Sequence, residues 1–146
     1  LLQDDTRQLN LDGNPETAAE REAIKEGLQH RDGARQYAAA KALMVMPRAA
    51  QLDQIDALRS SLGSDYGVHY LLASCTGLLE LHERSDLVRE ALAETAPQYA
   101  KSLIAGAWSC LRLQLRDQTS LLEEVGRSHP WQPLQWSCRE VALLLS

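Results

Sequence analysis

The chain has 146 residues, of which 45% are hydrophobic and 24% charged, enough to fold as one globular domain without disulfides or a structural metal. Its formal net charge of −5 excludes the excess of Lys and Arg that nucleic acids and anionic membranes attract, so neither is an expected partner. Phe is absent and aromatic residues make up 5%, which leaves Leu and Ala, two strong helix formers, to supply the core. The composition therefore predicts an all-α protein.

The N-terminal segment, residues 1–13, mixes polar and apolar side chains without a helical period, and we interpret it as an arm. Asn14 and Pro15 then have the residue types of a helix N-cap and a first helical position, and they predict a helix that continues to about Gln29. We interpret residues 14–146 as a single helical-repeat domain, because a regular pattern follows.

That pattern is a helix-start signal at a nearly constant interval. Asp32, Asp65, Pro97 and Pro130 each open an apolar, helix-compatible stretch, at separations of 33, 32 and 33 residues. Self-similarity at this period is typical of arrays of stacked helix pairs, because one pair cannot bury its apolar face without a neighbour. The sequence therefore predicts a superhelix of about seven or eight helices, arranged as antiparallel pairs.

The sequence predicts the helix that opens each of the first two pairs. In the first pair, a helix over about 34–46 is expected to end at Pro47, which lacks the backbone N–H donor. In the second pair, a helix over about 66–81 is apolar almost all round. We therefore expect this second helix to be the most buried of all, with Leu72 and Leu78 in the core.

Polar residues and glycines give further expectations in the later repeats. Ser85 and Asp117 are the expected N-caps of two second helices, since their side chains can accept hydrogen bonds from free backbone N–H groups. The second of these helices is expected to stop at Gly126. Gly77 and Gly106 lie inside apolar helices, where a missing side chain permits two helices to approach closely.

The first repeat carries a family resemblance. Residues 39–43 read Ala-Ala-Lys-Ala-Leu, follow Arg35, and precede a second helix that a proline separates from the first. This arrangement resembles the first helix of a HEAT repeat, in which an A-A-x-A-L core follows an arginine and each unit is two antiparallel helices. Over residues 32–126, the resemblance implies a HEAT/ARM-like α-solenoid scaffold, usually one that binds proteins.

Two groups of side chains are candidates for binding a partner. Trp131 and Trp136 border a proline-rich connection, and exposed Trp is enriched where binding energy concentrates. The predicted second helices carry regularly spaced acids, which form a negative ridge able to steer a basic partner; the alternative is a solvated outer face. The acids that we single out on this ridge are Asp53, Asp56, Asp86 and Glu90. We therefore expect a protein or peptide partner, basic partners included.

No catalytic constellation is evident in the sequence, so we predict no catalytic residue, no metal ligand and no cofactor. His82-Glu83 is a single His-Glu pair, whereas the iron site of HEAT-like hydroxylases needs several converging pairs. Cys75, Cys110 and Cys138 have no C-x-x-C spacing, and each lies in an apolar helix, where free Cys behaves as a small core residue. Unpaired core thiols favour a reducing compartment, so we expect a cytoplasmic protein.

These observations favour a non-enzymatic protein–protein interaction module, which could be an adaptor, a chaperone or a neutralising binder. Two alternatives stay open. One is a HEAT-like enzyme, a metal hydroxylase or a DNA glycosylase, although the single His-Glu pair argues against the first and the net charge against the second. The other is a structural fragment of a larger helical-repeat protein, suggested by the missing initial Met and the apolar C-terminal end.

Overall fold

A computed structural model describes residues 18–30, 32–60 and 66–146. These residues form eight α-helices and three short 3-10 turns, and they contain no strand, which confirms the predicted all-α class. The helices are α1 (Ala18–Leu28), α2 (Gly33–Met44), α3 (Arg48–Ser60), α4 (Tyr66–Leu78), α5 (Ser85–Ala93), α6 (Ala100–Leu113), α7 (Thr119–Ser128) and α8 (Gln132–Leu145). The expected arm over 1–13, the cap at Asn14 and Pro15, and the start signal at Asp65 lie outside the described residues.

The chain divides into two compact units, Leu1–Gly63 and Ser64–Ser146. In the first unit, α1 packs against α2 and α3, and α2 packs against α3. Gly27 allows α1 to approach α2 closely, because a Cβ at this position would lie 2.8 Å from the Cβ of Ala39. The single domain expected over 14–146 stays a prediction.

The limits of α2 follow from its capping residues and the proline beyond it. Asp32 is its N-cap, as predicted, and its carboxylate accepts a hydrogen bond of 3.0 Å from the Ala34 N–H. The helix ends at Met44 rather than at Met46, because the residue before a proline avoids the helical conformation. The buried Gln51 side chain donates to the Leu43 carbonyl at 3.1 Å, which also accepts from the Met46 N–H at 3.2 Å, so Gln51 adds a side-chain bond to the closed end of this helix.

In the second unit, the helices that open each repeat pack against one another. α4 packs against α5 and α6, α6 packs against α5 and α8, and α7 packs against α8. The rings of Tyr66 and Tyr99 meet at the N-terminal ends of α4 and α6, and Gly77 meets Ser109 further along both helices. Because the two contacts follow the same order in both helices, α4 and α6 run parallel.

The same turn closes α4 and α6. Glu80 and Gln114 lie 34 positions apart, and both adopt the left-handed conformation, with φ of 52° and 56°. A buried leucine follows each of them, Leu81 and Leu115, and its N–H donates to the carbonyl five residues earlier at 3.0 and 2.9 Å. This bonding satisfies carbonyls that the helix end leaves free. A 3-10 turn follows each leucine, over His82–Arg84 and Arg116–Gln118.

These turns correct the expected limit of α4 and the expected N-caps. α4 ends at Leu78 instead of residue 81, because Glu80 leaves the helical conformation. Ser85 and Asp117 do not cap α5 and α7: the N-caps are Arg84 and Gln118, and neither forms a side-chain capping bond. The 3-10 turns already supply carbonyl acceptors to the first backbone N–H groups of both helices, so no side-chain acceptor is required.

Three further expectations are wrong, one about a helix end and two about burial. Gly126 does not end α7, which continues to Ser128; a Cβ at Gly126 would lie 2.8 Å from Arg139 Cγ, so the glycine permits α7 to pack on α8. Leu78 is 49% exposed whereas Leu72 is buried, because six positions along a helix place the two side chains on different faces. The most buried helix is α6, with seven buried residues against six in α4.

Within the described residues, no helix combines the length and the apolar character that crossing a bilayer requires.

Candidate protein-binding surface

Large hydrophobic side chains stay exposed mainly on one class of helix. We call α2, α4, α6 and α8 the first helices and α3, α5 and α7 the second helices. The exposed large hydrophobic residues in the described part of the chain are Tyr37, Met44, Val45, Tyr66, Tyr70, Leu78, Trp131, Trp136, Leu143 and Leu144. All of them lie on a first helix or at a position adjoining one, and none of them lies on a second helix. Within each unit, these exposed apolar groups are therefore the candidates for a binding surface.

In the second unit, an aromatic cluster joins α4 to the turn that precedes α6. The rings of Tyr66 and Tyr99 meet edge to face with centroids 5.0 Å apart, and the His69 ring meets Tyr99 at 4.7 Å. Tyr66 is 48% exposed and Tyr70 is 43% exposed, and their spacing of four places both on one face of α4. Edge-to-face contacts hold the rings in place. The cluster therefore offers ordered aromatic area to solvent.

The exposed side of α6 is next to this cluster, because α6 packs against α4 and follows Tyr99 in the chain. Lys101, Ala105, Trp108 and Arg112 follow the spacing i, i+4, i+7 and i+11, which forms one stripe along a helix. Lys101 and Arg112 are exposed, and the two residues between them are half-buried. We call Tyr66, Tyr70, Tyr99, Lys101, Trp108 and Arg112 together the aromatic face. Two helices packed side by side carry it.

The two tryptophans singled out from the sequence are exposed on or beside α8. Trp131 is the N-cap residue and is 39% exposed, and Trp136 is 63% exposed. Leu143, which is 71% exposed, follows Trp136 by seven positions and therefore lies on the same face of the helix. Their exposure is the property that the binding interpretation needs, and binding itself stays a prediction.

A buried histidine fixes the connection into α8. His129 accepts a hydrogen bond of 3.1 Å from the Trp131 N–H through Nδ1, and its carbonyl accepts one from the Gln135 side chain. Because Nδ1 is an acceptor, the neutral ring carries its proton on Nε2. Nε2 is buried and has no hydrogen-bond partner within the part of the chain that the structure describes. The ring therefore positions Trp131 through its other nitrogen.

The four acids of the predicted ridge are all exposed. Asp53 and Asp56 lie on α3 in the first unit, and Asp86 and Glu90 lie on α5 in the second unit. Their exposure is compatible with both interpretations of the sequence, a ridge that steers a basic partner and a solvated outer face. The role of the ridge stays a prediction.

The salt bridge of Arg89 connects α5 to the turn before α7. Arg89 donates to both carboxylate oxygens of Asp117, at 3.0 and 3.2 Å, and to the Ser85 hydroxyl at 2.9 Å. The hydrogen bond from Arg89 lowers the pKa of Asp117, and the same bond raises the pKa of Arg89. Exposed pairs of this kind contribute little to stability, so this one mainly orients two side chains.

The three cysteines occupy the core, as predicted. All are free and buried, and Cys110 and Cys138 belong to one apolar cluster. Burial raises the pKa of Cys75 to about 11, of Cys110 to about 12 and of Cys138 to about 11. His82 and Glu83 lie exposed in a 3-10 turn, and the described residues contain no group of three metal-binding side chains. Protonated, buried thiols are poor nucleophiles.

We expect the folded chain to resist thiol reagents. At about pH 8, Cys75, Cys110 and Cys138 should react with Ellman's reagent at least about 100-fold more slowly than an exposed thiol, since the thiolate is scarce and covered. In denaturant all three should titrate. Ser146→Cys supplies an exposed thiol as the matched control.

Rapid modification of any native thiol in the folded chain would contradict the burial.

The raised pKa values of the three thiols also make stability depend on pH. Near the reference pKa of 9.0 the thiols of the unfolded chain ionise, while those of the folded chain do not. Their contribution to stability is therefore complete below about pH 8 and is lost as the pH rises toward the folded pKa values.

No protein-family model matches the chain, and the search of the curated proteins finds no match to it.

Proposed function

We propose that this chain is a HEAT-like helical-repeat domain that binds a protein or peptide and catalyses no reaction. The observation that carries the proposal is the aromatic face of the second unit, where Tyr66 and Tyr70 are exposed while ring contacts hold Tyr66 in place. Tyr and Trp dominate the binding energy of protein interfaces because they bury a large area at a small cost in side-chain entropy.

Features of the second unit support the helical-repeat part of the proposal. The turns that close α4 and α6 have the same order of features: a left-handed residue, then a buried leucine, then a 3-10 turn. The first helices pack in succession, α4 on α6 and α6 on α8, as they do when helix pairs stack in an array. A stack of this kind presents its first helices as one extended surface.

The chemistry of the titratable groups supports a non-enzymatic role. Catalytic groups have pKa values shifted toward the pH at which they work. The large pKa shifts among the described residues belong to the three core thiols, and burial moves them away from neutral pH. The three free thiols also fit a reducing compartment, so a cytoplasmic location is part of the proposal.

Peptide selection tests this function. Displayed random peptides of about 16 residues, long enough to span α6 as a helix, should yield binders of the immobilised full chain. Tyr66→Ala/Tyr70→Ala should weaken the selected peptides by at least about 30-fold, since two interface tyrosines are removed. Tyr37→Ala, which removes an exposed tyrosine from the first unit, is the control and should leave binding unchanged.

Thermal melting of each variant separates lost binding from lost folding. The proposal fails if the selection enriches no peptide, or if Tyr37→Ala weakens the selected peptides as much as the double variant does.

A further inference from the structure

Positive charge concentrates on the first helices of this acidic chain. Their five basic residues are Arg35, Lys41, Lys101, Arg112 and Arg139, and Glu140 is their one acid. The second helices carry six acids and four arginines. In a chain with a net charge of −5, exposed apolar side chains and a net positive charge therefore share the first helices.

On the aromatic face, this charge has a defined spacing. The sequence of α4 contains no Asp, Glu, Lys or Arg, and that of α6 contains only Lys101 and Arg112. Eleven positions of helix separate these two residues by about 16 Å along the axis. Trp108 lies between them on the same stripe. The face therefore presents a positive group, an apolar stretch and a second positive group.

We infer that the aromatic face binds an acidic protein segment in which apolar side chains lie between two carboxylate groups. The inference rests on the proposed function and adds the chemistry of the partner. Lys101 and Arg112 would each meet a carboxylate, and the aromatic rings would cover the apolar side chains between them. Charge complementarity of this kind selects partners and speeds their association.

A nucleic acid is the weaker fit to the same face. The face offers a nucleic acid only two cations, about 16 Å apart, whereas nucleic-acid binding requires contacts with many phosphates. The net negative charge of the chain also repels phosphate groups. An acidic peptide needs only two charges and gains from apolar burial.

Three synthetic helical peptides that differ only in charge test the inference. They share their Leu and Trp positions and carry Glu, Gln or Lys at the flanking sites. By fluorescence anisotropy at about 50 mM salt, the Glu peptide should bind at least about tenfold tighter than the Lys peptide. At about 0.5 M salt this difference should largely disappear.

Charge reversal on the protein provides the matched measurement. Lys101→Glu/Arg112→Glu should reverse the preference, so that the Lys peptide binds more tightly than the Glu peptide. Arg35→Glu/Lys41→Glu makes the same change in net charge on α2 of the first unit and should keep the original preference. The control separates a local effect from the long-range effect of total charge.

The outcomes separate this inference from the proposed function. If the Lys or Gln peptide binds as tightly as the Glu peptide, the acidic partner is wrong, while peptide binding that depends on Tyr66 and Tyr70 stands. If no synthetic peptide binds although selection yields binders, the inference again fails alone. Tighter binding of a single-stranded oligonucleotide than of the Glu peptide would also overturn it. The function itself fails only if the selection yields no binders, or if Tyr37→Ala weakens the selected peptides as much as the double variant does.

Discussion

Gly77→Ala is expected to lower the free energy of unfolding by about 2 to 4 kcal/mol, although Gly to Ala inside a helix ordinarily raises it. A Cβ at this position would lie 2.5 Å from Ser109 Cβ and 2.7 Å from Ser109 Cα. Ser109 cannot move easily, because it is buried and its hydroxyl donates to the Ala73 carbonyl at 2.6 Å. The added methyl group must therefore push α4 and α6 apart.

Two variants give this prediction its controls. Gly33→Ala places a Cβ where nothing lies within 4 Å, so its effect should stay within about 0.5 kcal/mol. Ser109→Gly in the Gly77→Ala background removes the contacts with Ser109 Cβ and Oγ but leaves Ser109 Cα at 2.7 Å, so it should recover part of the lost stability. The double-mutant cycle in urea should give a favourable coupling of at least about 1 kcal/mol. A Gly77→Ala variant as stable as the original chain would mean that α4 and α6 are not in close contact.

Leu72→Ala should cost about 2 to 5 kcal/mol, whereas Leu78→Ala on the same helix should cost less than about 1 kcal/mol. Leu72 is 5% exposed, so truncating it leaves a cavity in addition to the lost apolar burial. Leu78 is 49% exposed and leaves no closed cavity behind. Equilibrium urea unfolding of the two variants measures this contrast.

The pair is its own control, since both variants remove the same atoms from one helix. Equal losses of stability, or a larger loss for Leu78→Ala, would mean that the buried face of α4 is not the one that carries Leu72. Unfolding slopes that match the original chain would confirm that the denatured states are comparable.

The start of α2 and the close approaches between helices could be predicted, because they depend on local chemistry. The Asp32 side chain caps α2 by accepting a hydrogen bond from the N–H of Ala34, two residues later, so this cap depends only on the local sequence. Gly77 and Gly106 were expected where helices approach closely, and both contact a neighbouring helix. The core position of the cysteines follows equally from the apolar residues around them.

The helix ends could not be predicted, because the usual residue type is absent. Left-handed residues that close helices are commonly Gly, but here they are Glu80 and Gln114, which give no such signal in the sequence. The 3-10 turns after them then made the expected caps at Ser85 and Asp117 unnecessary. Tertiary packing, through the buried leucines of the turns, determines these ends.

The aromatic cluster was also missed, although part of its signal is visible in the sequence. Tyr66 and Tyr70 have helical spacing, and Tyr99 lies 33 positions after Tyr66, one repeat further along the chain. The spacing alone does not say that rings of successive repeats meet, because that contact depends on how α4 packs against α6. In the sequence alone, the regularly spaced acids of the second helices are easier to recognise than the tyrosines of this cluster.

Mapping a bound peptide onto the full chain by NMR tests the central claim most directly. With a peptide obtained by selection, the side-chain resonances of Tyr66, Tyr70 and the Trp108 indole should shift most, because they lie on the aromatic face. Shifts confined to the second helices, around Asp86 and Glu90, would contradict the account and place the binding site on the acidic ridge instead.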